Sequence, residues 1–179
     1  MPANEPEIDE AVDAALRAAG FEVVEVGLPG WNDAFEECIS LMCGEGYTNN
    51  RRLLEQSPDD LGGDLRSFFM AVGSSVDAAR HAQLLSGAAA WKQTVDEVLG
   101  RVEAIACPTL TIAPPRLDDF AGHALVANFT APVNLAGNPA LAVPVPRPGA
   151  LPASLQLIGP HGSEEMLVAA GAAVESAVS

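Results

Sequence analysis

The sequence predicts an α/β protein, on three observations. Apolar residues recur at helical spacing near both ends of the chain, short β-branched runs separate the helical stretches, and 49% of the 179 residues are hydrophobic while only 18% are charged. A chain of this length buries roughly 70% of its unfolded surface when it folds, which is enough for a true core. Disorder needs a more polar composition than this one.

The first helix is expected over residues 7–19, where Ile8, Val12, Ala15, Leu16 and Ala19 share a face and Gly20 supplies a stop. Residues 21–26, Phe-Glu-Val-Val-Glu-Val, then read as a strand closed by the Leu28-Pro29-Gly30 turn. Trp31 to about Tyr47 reads as a helix weakened at its end by Gly44 and Gly46, and residues 48–64 read as polar loop. Two helical stretches are expected at Val76–Leu85 and Ala88–Val102, the second with Ala90, Trp91, Val95, Val98 and Leu99 on one face.

Ala104–Cys107 reads as a short buried strand. Residues 109–151 are rich in proline and glycine but apolar enough to be ordered, irregular core. Leu141–Val145 and Ala153–Ile158 read as strands around an Arg147-Pro148-Gly149 turn, and Pro144 predicts an edge strand or bulge because proline donates nothing to a ladder. Ser163 is the expected N-cap of a closing helix with Leu167, Ala170, Val174 and Ala177 inward and Glu164 and Glu165 in its first turn. No internal repeat or second domain is visible, so residues 1–179 are read as one segment.

A net charge of −15 repels phosphate backbones and anionic lipid, which argues against nucleic acid or a membrane as partner. The acidic start does not resemble a signal peptide, and the three cysteines, Cys38, Cys43 and Cys107, match no metal-ligand spacing. A cytoplasmic protein with buried thiols, without metal or other cofactor, is expected.

Nucleophilic catalysis needs a serine, threonine or cysteine within reach of a base. The one lysine, Lys92, sits mid-helix among polar residues and reads as solvated. His81, His123 and His161 show no carboxylate-paired context in sequence, and His161, in the Gly159-Pro160-His161-Gly162 turn, is the one best placed to line a site. Gly73-Ser74-Ser75 mimics a nucleophile loop, yet Val76-Asp77-Ala78-Ala79 follows it, so Ser74 or Ser75 reads as a helix cap completed by Asp77. No catalytic residue is assigned.

The stretch 128–144, NFTAPVNLAGNPALAVP, resembles the amidase signature family near its C-terminal end. So do residues 151–159, LPASLQLIG, with Ser154 in place of a usual glycine, and residues 104–109, AIACPT, preceded by Glu103 where an aspartate is frequent. The resemblance implies part of a mixed β-sheet flanked by helices. It also implies amide C–N hydrolysis through an acyl-enzyme, by a serine, a second serine and a lysine that lie in an earlier half not matched here. Thr130 and Val133 match positions that line the substrate channel in some members, and Asn134 and Gly137 match an Asn-x-x-Gly turn, so Thr130, Val133 and Asn134 are the implied substrate-binding residues. In an Asn-x-x-Gly-x-Pro turn, however, Asn134 reads first as a residue that satisfies buried backbone groups and only second as a substrate contact. Glutamine-using members carry an acidic residue near positions 126–128, where this chain has Val126, Ala127 and Asn128, which disfavours an amidotransferase.

Two readings follow. In the first, the chain is the C-terminal half of an amidase, supplying wall and sheet, inactive alone and acting on a small amide only with an N-terminal half. In the second it is a non-catalytic binding remnant, or the product of a broken gene; the position of Met1 just before a credible first helix favours a self-contained unit. An unrelated α/β enzyme built on His161 or His123 lacks a convergent acid, base and nucleophile. Either fragment reading predicts exposed apolar surface, unpaired strand edges and self-association.

Overall fold

The computed structural model describes residues 5–118 and 126–179, so His123 lies outside the described residues. Helix α1 (Pro6–Ala18) buries Ile8, Val12, Ala15 and Leu16, as its stripe requires, and Gly20 turns the chain with φ +78°. Helix α2 runs Trp31–Asn49, α3 Arg51–Gln56, α4 Gly63–Ala71 and α5 Ala78–Leu99. Strand β1 (Ile105–Pro108), helix α6 (Ala131–Ala136), strands β2 (Ala140–Val145) and β3 (Ala153–Ile158), and helix α7 (Glu164–Val178) complete the chain.

The strands form an antiparallel sheet in the order β1-β3-β2, with Gln156 of β3 opposite Cys107 on one side and Ala142 on the other. Alternation divides β3 between two cores. Ala153, Leu155 and Leu157 join Val143 and Val145 beneath α1 and α7, packing on Val12, Leu16, Leu167 and Val174. Ile158, with Ile105 of β1, faces Trp31, Trp91, Val95 and Val133 from α2, α5 and α6. The result is helix, sheet, helix: an α/β sandwich whose described strands are all antiparallel. Pro144 lies on an edge strand, as its missing donor demands.

Several local expectations are corrected. The segment 21–28 is not a strand; it pairs with no described strand, and Phe21, Val23 and Val24 are 37–56% exposed. Residues 48–64 are partly helical, because Arg51-Arg52-Leu53-Leu54-Glu55-Gln56 is composed of helix formers and Arg51 pairs with Glu55 one turn on. Gly44 and Gly46 lie inside α2 rather than fraying it: a Cβ at either would run into Val76 or Phe69, so they admit close packing of the helical layer. The two helices expected between 76 and 102 are one, with Gly87 inside it facing the Glu37 carboxylate.

The caps also differ. Asp77, not Ser74 or Ser75, caps α5 by accepting from the Arg80 N–H at 2.7 Å. Ser163 precedes α7 but donates its hydroxyl to the Pro160 carbonyl at 2.7 Å instead of capping. In α7 it is Gly171, with Leu167 and Val174, that is buried, while Ala177 is exposed. Among the described residues no helix is long and apolar enough to cross a membrane.

Candidate functional site

The segment that carries the strongest sequence motif, residues 128–138, has no strand of its own, so its backbone must be satisfied from elsewhere. Three side chains from three elements do this. The Trp31 indole donates to the Asn128 carbonyl at 2.9 Å, the Gln156 amide to the Phe129 carbonyl at 2.9 Å, and the Trp91 indole to the Pro132 carbonyl at 2.7 Å. The rings are locked together: Trp31 meets Trp91 edge-on at 5.7 Å and leans on Phe129 at 5.6 Å. Buried donors aimed at backbone acceptors fix the loop where a flexible turn would otherwise stand.

On that support Thr130 opens α6, half-buried, its hydroxyl 3.5 Å from the Ala127 carbonyl. Asn134 stands one turn later and is exposed; its N–H bonds the Thr130 carbonyl at 3.0 Å. Val133 is 6% exposed and packs inward with the tryptophans. Gly137 ends α6 with φ +75°, and its N–H reaches back to the Val133 carbonyl at 3.0 Å, so the glycine of the Asn-x-x-Gly turn is required by its left-handed backbone. The His161 imidazole lies against this glycine, its Cε1 3.8 Å from where a Cβ would sit.

The asparagine that serves buried backbone is Asn138, whose amide donates to the Gly159 carbonyl at 2.9 Å, while Gly159 donates to the Pro139 carbonyl at 3.0 Å. This clamps the α6–β2 junction to the β3–α7 turn. Ser154 bonds the Thr109 hydroxyl at 2.9 Å, and Thr109 N–H the Ser154 carbonyl at 2.7 Å, giving the serine a use that a glycine lacks. Cys107, beside Gln156 at 3.4 Å, has its thiol pushed up to about 11 by burial, against the smaller opposing effect of the Gln156 N–H; burial also raises Cys38 and Cys43.

No catalytic set is assembled among the described residues. Ser74 and Ser75 donate to the Met70 and Val72 carbonyls at 2.7 Å. Lys92 pairs with Asp96 one turn on. His81, contrary to expectation, has a carboxylate beside it, Glu45 at 3.2 Å, on an exposed face that joins α2 to α5 and holds no nucleophile. No serine, threonine or cysteine among the described residues is bonded to a lysine or histidine, and no group of three or more metal-ligating side chains converges there. The grooves near Pro146 and Arg147, bounded by α1 and the end of α7, include no residue of 126–137.

Comparison with known proteins places this architecture. The amidase family model matches residues 2–168. A glutamyl-tRNA(Gln) amidotransferase subunit from Halobacterium salinarum is 33% identical over 173 residues, covering 91% of this chain and 37% of its own length. An amidase from Pseudomonas putida is 29% identical over 153 residues, covering 78% of this chain and 33% of its own. A crystal structure of an amidase superposes with a TM-score of 0.86 at 22% identity, across 97% of this chain and 42% of that one. The chain thus spans about a third of the length of these curated relatives. It belongs to the amidase family, of whose members it corresponds to the C-terminal portion.

Proposed function

We propose that this segment is the supporting part of an amide hydrolase, and that it works only with an amidase portion carrying the serine nucleophile and the lysine base. The observation that carries the reading is the convergence of Trp31, Gln156 and Trp91 on the carbonyls of residues 128, 129 and 132. Such fixation is what a binding wall needs, because a surface that positions a scissile amide must not move when the acyl group arrives. Thr130 and Asn134, one turn apart, present a hydroxyl and a carboxamide to the substrate amide, and Val133 holds their helix from beneath. The chain's own contribution is therefore orientation; the attack, the proton transfer and the acyl-enzyme belong to the other portion. The cytoplasm is the expected compartment.

The acyl donor is a simple amide in this reading. Val126, Ala127 and Asn128 offer no carboxylate to a glutamine α-amino group, although the Halobacterium relative bears an amidotransferase name. Ammonia release discriminates. The isolated chain releases none from acetamide, benzamide or glutamine, whereas the chain fused behind the first three-fifths or so of the Halobacterium relative releases it from a simple amide in preference to glutamine. Hydrolysis by the isolated chain that Ser75→Ala abolishes would overturn the reading.

A non-catalytic binding role is the second reading, favoured by the two hydrophobic cores, one on either face of the sheet, that the chain builds from its own residues. It predicts saturable binding of an amide by the isolated chain, with no turnover in the fusion.

A further inference from the structure

The connection between β2 and β3 places one cation on a stiff turn. Pro148 and Gly149 form the centre of that turn, the Ala150 N–H reaches the Arg147 carbonyl at 3.3 Å, and Gly149 has φ +72°, as a type II turn requires. Arg147 is held there with only 16% of its side chain exposed. A guanidinium carries five N–H donors, and here none is hydrogen-bonded to a described residue. The nearest anion, Glu5 Oε2, stands 3.8 Å away, where a closed pair would approach to about 2.8 Å. Glu5 is itself tied elsewhere: its Oε1 accepts from the Ala113 N–H at 3.2 Å, and its own N–H bonds the Thr111 carbonyl at 2.9 Å. A largely covered cation with unused donors is costly unless something else completes it.

The space beside Arg147 shows what would complete it. A groove of about 720 Å³ runs from Arg147 along α1, walled by Ala11, Ala14, Pro146, Pro148 and Val178 and edged by Glu7 and Glu10. Both glutamates are exposed, and neither has an ion-pair partner among the described residues. At about 1.5 Å per residue, Glu10 lies about 7–8 Å along the helix axis from Glu5, the residue beside the arginine. A fork of free donors at one end, unpaired carboxylates at the other and an aliphatic wall between them match a short chain with a carboxylate and an amine at its two ends. A phosphate dianion would meet the same glutamates as like charges. We propose that this groove binds an aliphatic ω-amino acid, its carboxylate on Arg147 and its ammonium at Glu7 and Glu10. The inference goes beyond the amide-hydrolase reading and does not depend on it.

Calorimetric titration of the 179-residue chain with 5-aminopentanoate tests this. At low ionic strength it binds saturably, with a dissociation constant of about 1 mM or tighter. Pentanoate, which lacks the amine, binds about threefold more weakly, the modest loss expected of a contact with exposed glutamates. 1-Aminopentane, which lacks the carboxylate, binds at least about tenfold more weakly, because it leaves the Arg147 fork empty. Arg147→Gln lowers the affinity for 5-aminopentanoate by at least about tenfold. Replacing both glutamates, Glu7→Gln with Glu10→Gln, removes the preference for 5-aminopentanoate over pentanoate while the thermal midpoint stays within about 3 °C, since both side chains are exposed and unpaired. Four results overturn the proposal: no saturation below about 20 mM, equal affinity for 5-aminopentanoate and pentanoate, a preference that survives loss of both glutamates, or undiminished binding by Arg147→Gln. If Arg147→Gln does not melt cooperatively, the ligand series and the double glutamine variant decide without it.

Discussion

Residues 128–138 and 22–28 both lie outside the described strands, both are bordered by apolar residues and both pack on the same core, but they differ in how their backbones are satisfied. The first has its carbonyls met by Trp31, Gln156 and Trp91, and its helix closed by a left-handed glycine. The second has no backbone partner among the described residues for seven positions. Backbone outside the sheet is held inside this chain where long-range side chains have been recruited to it. Where none has been, a β-prone sequence stands without a backbone partner among the described residues.

The largest effect comes from breaking the supported region at its centre. Trp91→Ala removes a buried ring and the donor to Pro132, and should cost about 3–5 kcal/mol in urea unfolding. Trp91→Phe keeps most of the ring and isolates the lost hydrogen bond, with a cost of about 1–3 kcal/mol. Gln156→Leu leaves the Phe129 carbonyl buried without its donor and should also cost about 1–3 kcal/mol, read in the same titration.

Alkaline pH gives the next effect. Cys107 titrates near 11 in the fold and near 9.0 when unfolded, so between those values the unfolded state has lost a proton that the folded state retains. Stability is unaffected by this group below about pH 8 and falls as pH rises through 9 toward 11, by about 2 kcal/mol at pH 10.5. Cys107→Ala should flatten that part of the stability profile.

Thr130→Ala is smaller still. With its hydroxyl 3.5 Å from the nearest carbonyl, it should change stability by less than about 1 kcal/mol while weakening substrate use in the joined enzyme. Smallest of all, Val23→Asp in the unsupported segment should leave unfolding of the isolated chain within about 0.5 kcal/mol and reduce its light scattering.

Sequence pattern carried the regular elements well, and the reason is local. The stripe of Ile8, Val12, Ala15 and Leu16 and the alternation of Ala153–Ile158 express periods that a core must obey. Pro144 marked an edge or a bulge because a proline donates nothing to a ladder, and it lies on the edge strand β2. The α/β class and the amidase resemblance are borne out by the layered fold and by the family match. What pattern could not show was pairing at a distance. Trp31, Trp91 and Gln156 reach carbonyls 97, 41 and 27 residues away, and nothing at their own positions distinguishes a donor from a core filler.

The segment 21–26 failed as an expected strand for the complementary reason: propensity reports what a segment will accept, not whether a neighbour is present. Asn134 and Asn138 show the same limit at short range. Both sit in one turn motif, but only Asn138 faces the buried Gly159 carbonyl, and the choice depends on where the β3–α7 turn comes to rest.

The contrast between the two segments is open to one direct measurement: residue-resolved hydrogen exchange of the isolated chain at neutral pH. The amides of Asn134, Gly137 and Gly159, which donate to Thr130, Val133 and Pro139, should exchange at least about 100-fold more slowly than those of Glu22 to Leu28. Equal protection of the two sets would contradict the account, because the second segment would then already have its partner within the chain.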